Sequence, residues 1–123
     1  MSNILVVEDN PMNMELTVVL LESWGHKVGQ AEDGAQALDE VRKGNYDLIL
    51  LDMQLPRMDG LEVLEHLLDD PETADIPVVA LTAHSMTGDG RKYLDAGCTG
   101  YISKPINVPR FREQIDEYMN ASA

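Results

Sequence analysis

The stretch Leu48-Ile49-Leu50-Leu51-Asp52 is an unbroken apolar run that stops on a carboxylate. A run that is apolar at every position is typical of a strand covered on both faces, as in a parallel sheet packed between two layers of helices. A buried strand with an acid at its carboxyl end places that acid at the edge of a cleft. Asp52 is therefore the first candidate functional residue.

Four other short strand candidates lie at residues 4–7, 28–31, 78–81 and 100–103, and those at 4–7 and 78–81 are rich in leucine or β-branched residues. Longer segments with helical spacing separate them, so strand and helix alternate five times. This alternation predicts an α/β fold with a doubly wound, five-stranded parallel sheet. Because 123 residues is the usual size of one domain, we expect residues 1–123 to form a single domain.

Helix boundaries and buried faces can be predicted as well. The first helix is expected to begin with Asn10 as N-cap and Pro11 in the first turn, and to end at Gly25. The fourth, at about residues 86–96, is expected to be short or mobile because Gly88 and Gly90 each disfavour a helix by about 1 kcal/mol. The side chains predicted to face the core are Met12, Leu16, Val19, Leu20 and Trp24 in the first helix, Ala37, Leu38 and Val41 in the second, Leu61, Leu64, Leu67 and Leu68 in the third, and Phe111, Ile115, Tyr118 and Met119 in the fifth.

The composition limits the classes of function. Twenty-two acidic and nine basic residues leave a formal net charge of −13, which disfavours direct binding to nucleic acid. The excess of acid either keeps the protein soluble or includes a cation site. The single cysteine, Cys98, excludes an internal disulfide, and no apolar stretch approaches the roughly 20 residues that cross a bilayer. We therefore expect a cytoplasmic protein without membrane contact of its own.

Polar residues follow or end four of the predicted strands, and these are Glu8, Asp9, Asp52, Thr82 and Lys104. Ligands of open parallel sheets bind outside the carboxyl ends of the strands, so this edge is the predicted site. If the first and third strands are neighbours, three carboxylates meet there and repel one another unless a cation joins them. Mg²⁺ suits such an oxygen site, and no cysteine and histidine cluster favours zinc.

Taken singly, each of these residues has an ordinary explanation. An acid or a threonine at a strand end often only hydrogen-bonds locally, and a lysine is usually solvated. Lys104 differs in preceding Pro105, which favours extended backbone at Lys104 and allows a cis peptide at this bond. All five polar residues together, each at the carboxyl end of a predicted strand, predict a site for a cation and a phosphoryl group.

The whole chain resembles the receiver domain of bacterial two-component response regulators. The resemblance rests on the order and spacing of several short motifs. They are Glu8-Asp9-Asn10, residues 47–60 with Asp52, Pro56 and Asp59-Gly60, residues 77–83 with Pro77 and Thr82-Ala83, Ala96-Gly97-Cys98, and residues 101–105 with Tyr101 and Lys104-Pro105.

The resemblance implies a flavodoxin-like, CheY-like (βα)5 fold with strand order 2-1-3-4-5. It also implies that Asp52 accepts a phosphoryl group from a phosphohistidine with the help of Mg²⁺. The resemblance implies that the metal ligands are Glu8, Asp9, Asp52 and the backbone carbonyl of Gln54. It implies that Thr82 and Lys104 contact the phosphoryl group, and that Thr82 and Tyr101 change position when the protein switches. The residues implied to tune the lifetime of the phosphoryl group are Gln54, Ala83 and His84.

The function this predicts is a phosphorylation switch without an output domain, rather than a turnover enzyme. Its expected partners are a histidine kinase or histidine phosphotransfer protein and a downstream target protein, with a monomer or weak dimer as the oligomeric state. One alternative is a receiver that belongs to a hybrid histidine kinase system. A second is a haloacid-dehalogenase-like phosphohydrolase, which typically carries its nucleophile on the first strand and a second Asp two residues later, where this chain has Gln54. A third is an adaptor that leaves the pocket unused.

Overall fold

The computed structural model describes residues 2–55, 58–82, 89–104 and 106–121, in which strands and helices alternate along the chain. The strands are β1 (Asn3–Val7), β2 (Lys27–Ala31), β3 (Leu48–Asp52), β4 (Val78–Thr82) and β5 (Gly100–Ser103). The helices are α1 (Pro11–Ser23), α2 (Gly34–Lys43), α3 (Gly60–Asp69), α4 (Asp89–Ala96) and α5 (Val108–Ala121). None of the described helices is long and apolar enough to cross a membrane.

All five strands are parallel and lie in the order β2-β1-β3-β4-β5. This confirms the predicted doubly wound sheet and the strand order that the family resemblance implies. Val7 pairs with Leu51, and Asp52 pairs with Leu81, so the strands end at nearly the same level. The chain runs from β1 to β2 on one side of the sheet and then continues with β3, β4 and β5 on the other side of β1. The carboxyl ends of β1 and β3 are therefore direct neighbours.

Two hydrophobic cores lie on opposite faces of the sheet. One packs α2, α3 and α4 against side chains such as Leu5 and Ile49, and the other packs α1 and α5 against side chains such as Ile4 and Leu50. Every position of β3 and β4 is buried. The uniformly apolar runs therefore correspond to strands covered on both faces, as predicted.

The predicted buried face of α1 is wrong. Met12 is 80% exposed, Leu16 43% and Val19 57%, and the helix instead buries Met14, Thr17, Val18 and Leu21. The physical reason is that apolar side chains surround α1, so hydrophobicity does not single out one face. Leu20 and Trp24 do pack against the core as predicted, although only partly buried.

The remaining helices agree better with the sequence. Ala37 and Val41 of α2 and Phe111 and Ile115 of α5 are buried. In α3 the prediction is wrong for Leu68, which is 40% exposed at the last turn because Val63, Leu64 and Leu67 form the stripe that faces the sheet. Helix α4 has only eight residues, which confirms that it is short, and its predicted start at residue 86 lies outside the described residues.

Candidate functional site

The strand ends bring the predicted polar residues to one edge of the sheet. Asp52 and Thr82 are the last residues of β3 and β4, while Glu8 and Lys104 come directly after β1 and β5. Backbone hydrogen bonds extend the strand pairing through these positions, from the Glu8 N–H to the Ala31 carbonyl (3.0 Å) and from the Lys104 N–H to the Thr82 carbonyl (2.9 Å). The site residues are therefore positioned by the sheet itself.

Lys104 is the centre of this cluster. Its ammonium donates hydrogen bonds to Asp52 Oδ2 at 2.9 Å and to Glu8 Oε1 at 3.0 Å. The carboxylate side chains are only 4% and 3% exposed, and the lysine side chain is 21% exposed. Two buried acids thus share one cation that is itself open to solvent on one side.

Backbone N–H groups hold the other oxygens of the same two carboxylates. Gln54 N–H donates to Asp52 Oδ1 at 2.9 Å, and Asn10 N–H donates to Glu8 Oε2 at 3.3 Å. Asn10 also caps α1, since its side-chain oxygen accepts from the N–H groups of Met12 and Asn13. The sequence predicts only the capping role of Asn10. The hydrogen bond from its backbone N–H to Glu8 cannot be predicted from the sequence, because every residue except proline has a backbone N–H.

Asp9 completes a group of three acids. One carboxylate oxygen from each of Glu8, Asp9 and Asp52 lies within 4.8 Å of the others, and Asp9 is exposed. A cavity of about 260 Å³ borders Glu8 and Asp9. An all-oxygen, strongly anionic set is the kind of site that a hard divalent cation such as Mg²⁺ prefers, so the residues present fit this ion.

The surroundings alter the pKa values of two of these groups. Burial, together with the nearby carboxylate of Asp52, raises the pKa of Glu8 to about 7, although Lys104 opposes this shift. Burial alone would lower the pKa of Lys104, but its hydrogen bonds to Asp52 and Glu8 outweigh burial and raise that pKa. The ammonium is therefore held firmly in its charged form, while Glu8 is easily protonated when no metal is bound.

The other predicted residues are placed as follows. Thr82 is buried and is paired with Ser103 in the sheet, and Tyr101 is half-buried against the core that contains α2, α3 and α4. Gln54 is exposed, and its carbonyl as a metal ligand stays a prediction. Ala83, His84 and Pro105 lie outside the described residues, and so does the predicted cis peptide between Lys104 and Pro105.

Comparison with known proteins identifies the family. Residues 4–116 match the model of the response regulator receiver domain, and the chain belongs to this family. Receiver domains take phosphoryl groups from kinases and act on downstream targets in two-component signalling. The match favours a receiver over a haloacid-dehalogenase-like hydrolase.

Among curated proteins, the chain is 47% identical over 117 residues to the polar-differentiation response regulator DivK of Brucella ovis, with 95% of each chain covered. DivK of Brucella melitensis shows the same identity and coverage. Sequence motifs of this chain also predict a DivK-type regulator, and the comparison confirms this finer prediction. The motifs are Asn10, the Met12-Asn13-Met14 segment, residues 52–56 and residues 98–105.

Solved structures show the same fold. The receiver domain of the sensor histidine kinase PA1611 from Pseudomonas aeruginosa is 32% identical, with a TM-score of 0.88 and coverage of 97% of this chain and 98% of that one. Its crystal structure has a magnesium ion coordinated in the active site cleft. The chemotaxis protein CheY4 of Vibrio cholerae shares the fold, with 24% sequence identity and a TM-score of 0.90. The match covers 96% of this chain and 98% of CheY4.

Proposed function

We propose that Asp52 accepts a phosphoryl group from a phosphohistidine on a histidine kinase or histidine phosphotransfer protein. The observation that carries this proposal is the position of the Lys104 ammonium, which bonds both to Asp52 and to Glu8 beside the carboxylate of Asp9. A buried nucleophilic carboxylate next to a fixed cation and further acids suits transfer of an anionic group.

In the transfer, one Asp52 carboxylate oxygen attacks the phosphorus of the donor. A phosphorus–oxygen bond forms, the phosphorus–nitrogen bond breaks, and its electron pair returns to the imidazole of the donor histidine. The Gln54 N–H and the Lys104 ammonium each bind one Asp52 oxygen, so the carboxylate is oriented before the donor arrives. Lys104 then contacts a phosphoryl oxygen, and the Thr82 hydroxyl contacts another.

Mg²⁺ is the proposed cofactor, with Glu8, Asp9, Asp52 and the Gln54 carbonyl as its protein ligands. When bound, the ion offsets negative charge on the phosphoryl oxygens. The three clustered carboxylates support this assignment, as does the magnesium found in the PA1611 receiver domain. Because burial raises the pKa of Glu8, a bound Mg²⁺ would favour the ionised form of this carboxyl.

The output is a change in binding to a downstream protein. Phosphorylation of Asp52 favours one of two pre-existing arrangements of Thr82, the last residue of β4, and Tyr101, the second residue of β5. Gln54, Ala83 and His84 tune how fast water removes the phosphoryl group. We further propose that the protein acts as a single receiver domain and as a switch, not as a turnover enzyme, in keeping with its 47% identity to the response regulator DivK.

The test is phosphotransfer from a panel of phosphorylated histidine kinases and phosphotransfer proteins with Mg²⁺ present. We expect at least one donor to label the wild type and Asp39→Asn, a control at an exposed acid on α2, but not Asp52→Asn. Equal labelling of Asp52→Asn would overturn the assignment of the acceptor. Absence of labelling by every donor would overturn the proposed function.

A further inference from the structure

A second cavity lies at the opposite edge of the sheet from the acid cluster. Its volume is about 490 Å³, and it is bordered by residues that directly precede three strands, Asp47 before β3, Pro77 before β4 and Thr99 before β5. The strands between the two edges are four or five residues long, so about 15 Å of sheet separates this cavity from Asp52. It is therefore not part of the site described above.

The cavity has a negative electrostatic character. Asp47 and Asp75 line it, and no Lys, Arg or His is among the described residues that do so. The Asp47 carboxylate is held in place by the Asn3 N–H, which donates to Oδ2 at 2.8 Å. Leu68 at the end of α3 and Gly97 just after α4 are also lining residues, and the carbonyl ends of helices carry partial negative charge.

The rest of the wall offers apolar and aromatic contact. Tyr46 and Tyr118 line the cavity, and both are fixed by their surroundings. The Tyr46 hydroxyl donates to Glu40 Oε2 at 3.1 Å, and its ring occupies the space that a side chain at position 29 would need. The Tyr118 hydroxyl likewise occupies the space that a side chain at position 100 would need. Rigid aromatic rings beside carboxylates attract cations both by charge and by their π-electrons.

We propose that this cavity binds a small organic cation, an amine or guanidinium group carried on an apolar body. The volume lies within the roughly 300–1,000 Å³ of typical small-molecule sites. The two carboxylates match the charge of such a ligand, and the tyrosines with Leu68 match its apolar part. The inference goes beyond the proposed phosphotransfer function and does not depend on it.

The test is a titration of ¹⁵N-labelled protein, with saturating Mg²⁺, followed by amide chemical shifts. The probes are phenethylamine and two ligands of similar shape, neutral phenylethanol and anionic phenylpropionate. We expect saturable shifts at Asp47, Asp75 and Thr99 with phenethylamine at millimolar concentration and none with the two analogues. Asp47→Asn combined with Asp75→Asn should weaken binding about tenfold, equivalent to 1.4 kcal/mol.

The variants are chosen so that folding does not confuse the result. In Asp47→Asn, the amide oxygen of the new side chain still accepts the hydrogen bond from Asn3 N–H. Asp75 is exposed, so Asp75→Asn alone should not disturb folding and serves as the second variant. This single variant should also weaken binding. Asp39→Asn, remote on α2, should leave the affinity unchanged. The proposal is overturned if no amide at this edge shifts, if the neutral and anionic analogues cause the same shifts, or if only amides around Glu8 respond.

Discussion

The ammonium of Lys104 lies 2.9 Å from Asp52 Oδ2, although 52 residues separate the two in the chain. Strand β4 lies between the strands that carry them, so the lysine side chain reaches across one strand to make this contact. The same ammonium bonds to Glu8. Lys104 therefore neutralises two buried acids, Asp52 and Glu8, at the position where we propose that it contacts the phosphoryl group.

Removal of this cation is expected to destabilise the protein. Lys104→Met leaves Asp52 and Glu8 buried without their shared partner, which should cost about 1–3 kcal/mol in the free energy of unfolding. The measurement is urea denaturation in EDTA. Lys92→Met, at an exposed lysine on α4, is the control and should change stability little. An equal loss in both variants would contradict the importance of the Lys104 contacts.

The stability of the metal-free protein should depend on the ionisation of Glu8. Its pKa is raised from 4.5 to about 7, so between these pH values the folded state holds more protons than the unfolded state. The stability contributed by this group is present below about pH 4.5 and is lost as pH rises through 7, by up to about 3 kcal/mol at 1.36 kcal/mol per pKa unit.

Glu8→Gln isolates this effect because it removes the titrating group. In EDTA, the unfolding free energy of the wild type minus that of Glu8→Gln should fall between pH 5 and pH 8. Added Mg²⁺ should reduce the fall, because the ion binds the ionised carboxylate. A constant difference across this range in EDTA would show that Glu8 titrates at its ordinary value.

Asp9 allows metal binding to be separated from folding. Because Asp9 is exposed, Asp9→Asn should change the stability of the metal-free protein by less than about 0.5 kcal/mol. The loss of one of three carboxylates should lower Mg²⁺ affinity by about tenfold or more, measured by isothermal titration calorimetry. Asp39→Asn is the control with the same change of charge. Unchanged Mg²⁺ affinity in Asp9→Asn would exclude Asp9 as a ligand.

Two leucines of α1 test the orientation of this helix. Leu21 is fully buried and Leu16 is 43% exposed, so Leu21→Ala should cost about 2–5 kcal/mol and Leu16→Ala much less. Urea denaturation of both variants checks this. A larger loss of stability in Leu16→Ala than in Leu21→Ala would instead support the buried face of α1 that the sequence predicted.

Much of the fold was predictable because several local signals agree. The uniformly apolar runs identified β1, β3 and β4, and Asn10 caps α1 as predicted. The site was predictable because parallel strands place their carboxyl ends at one edge, which brings Glu8 and Asp52 together once β1 and β3 are neighbours. The neighbour relation itself came from the family resemblance and not from the composition of any strand.

The limits of the prediction are clearest in α1. Its sequence is apolar on all sides, so the exposed Met12 and Val19 are chemically as suited to the core as the buried Met14 and Val18. The pairing of Lys104 with Glu8, and the N–H that Asn10 donates to Glu8, were equally invisible, since both depend on where separate elements meet.

The sequence by itself determined where the strands lie, where α1 begins and ends, and which polar residues stand at strand ends, because these properties depend on local side-chain chemistry and spacing. Only the tertiary structure decided which face of α1 is buried, which oxygens share the Lys104 ammonium and how strongly Glu8 holds its proton. Those properties depend on distance and burial between residues far apart in the chain, and packing against the sheet is what sets both.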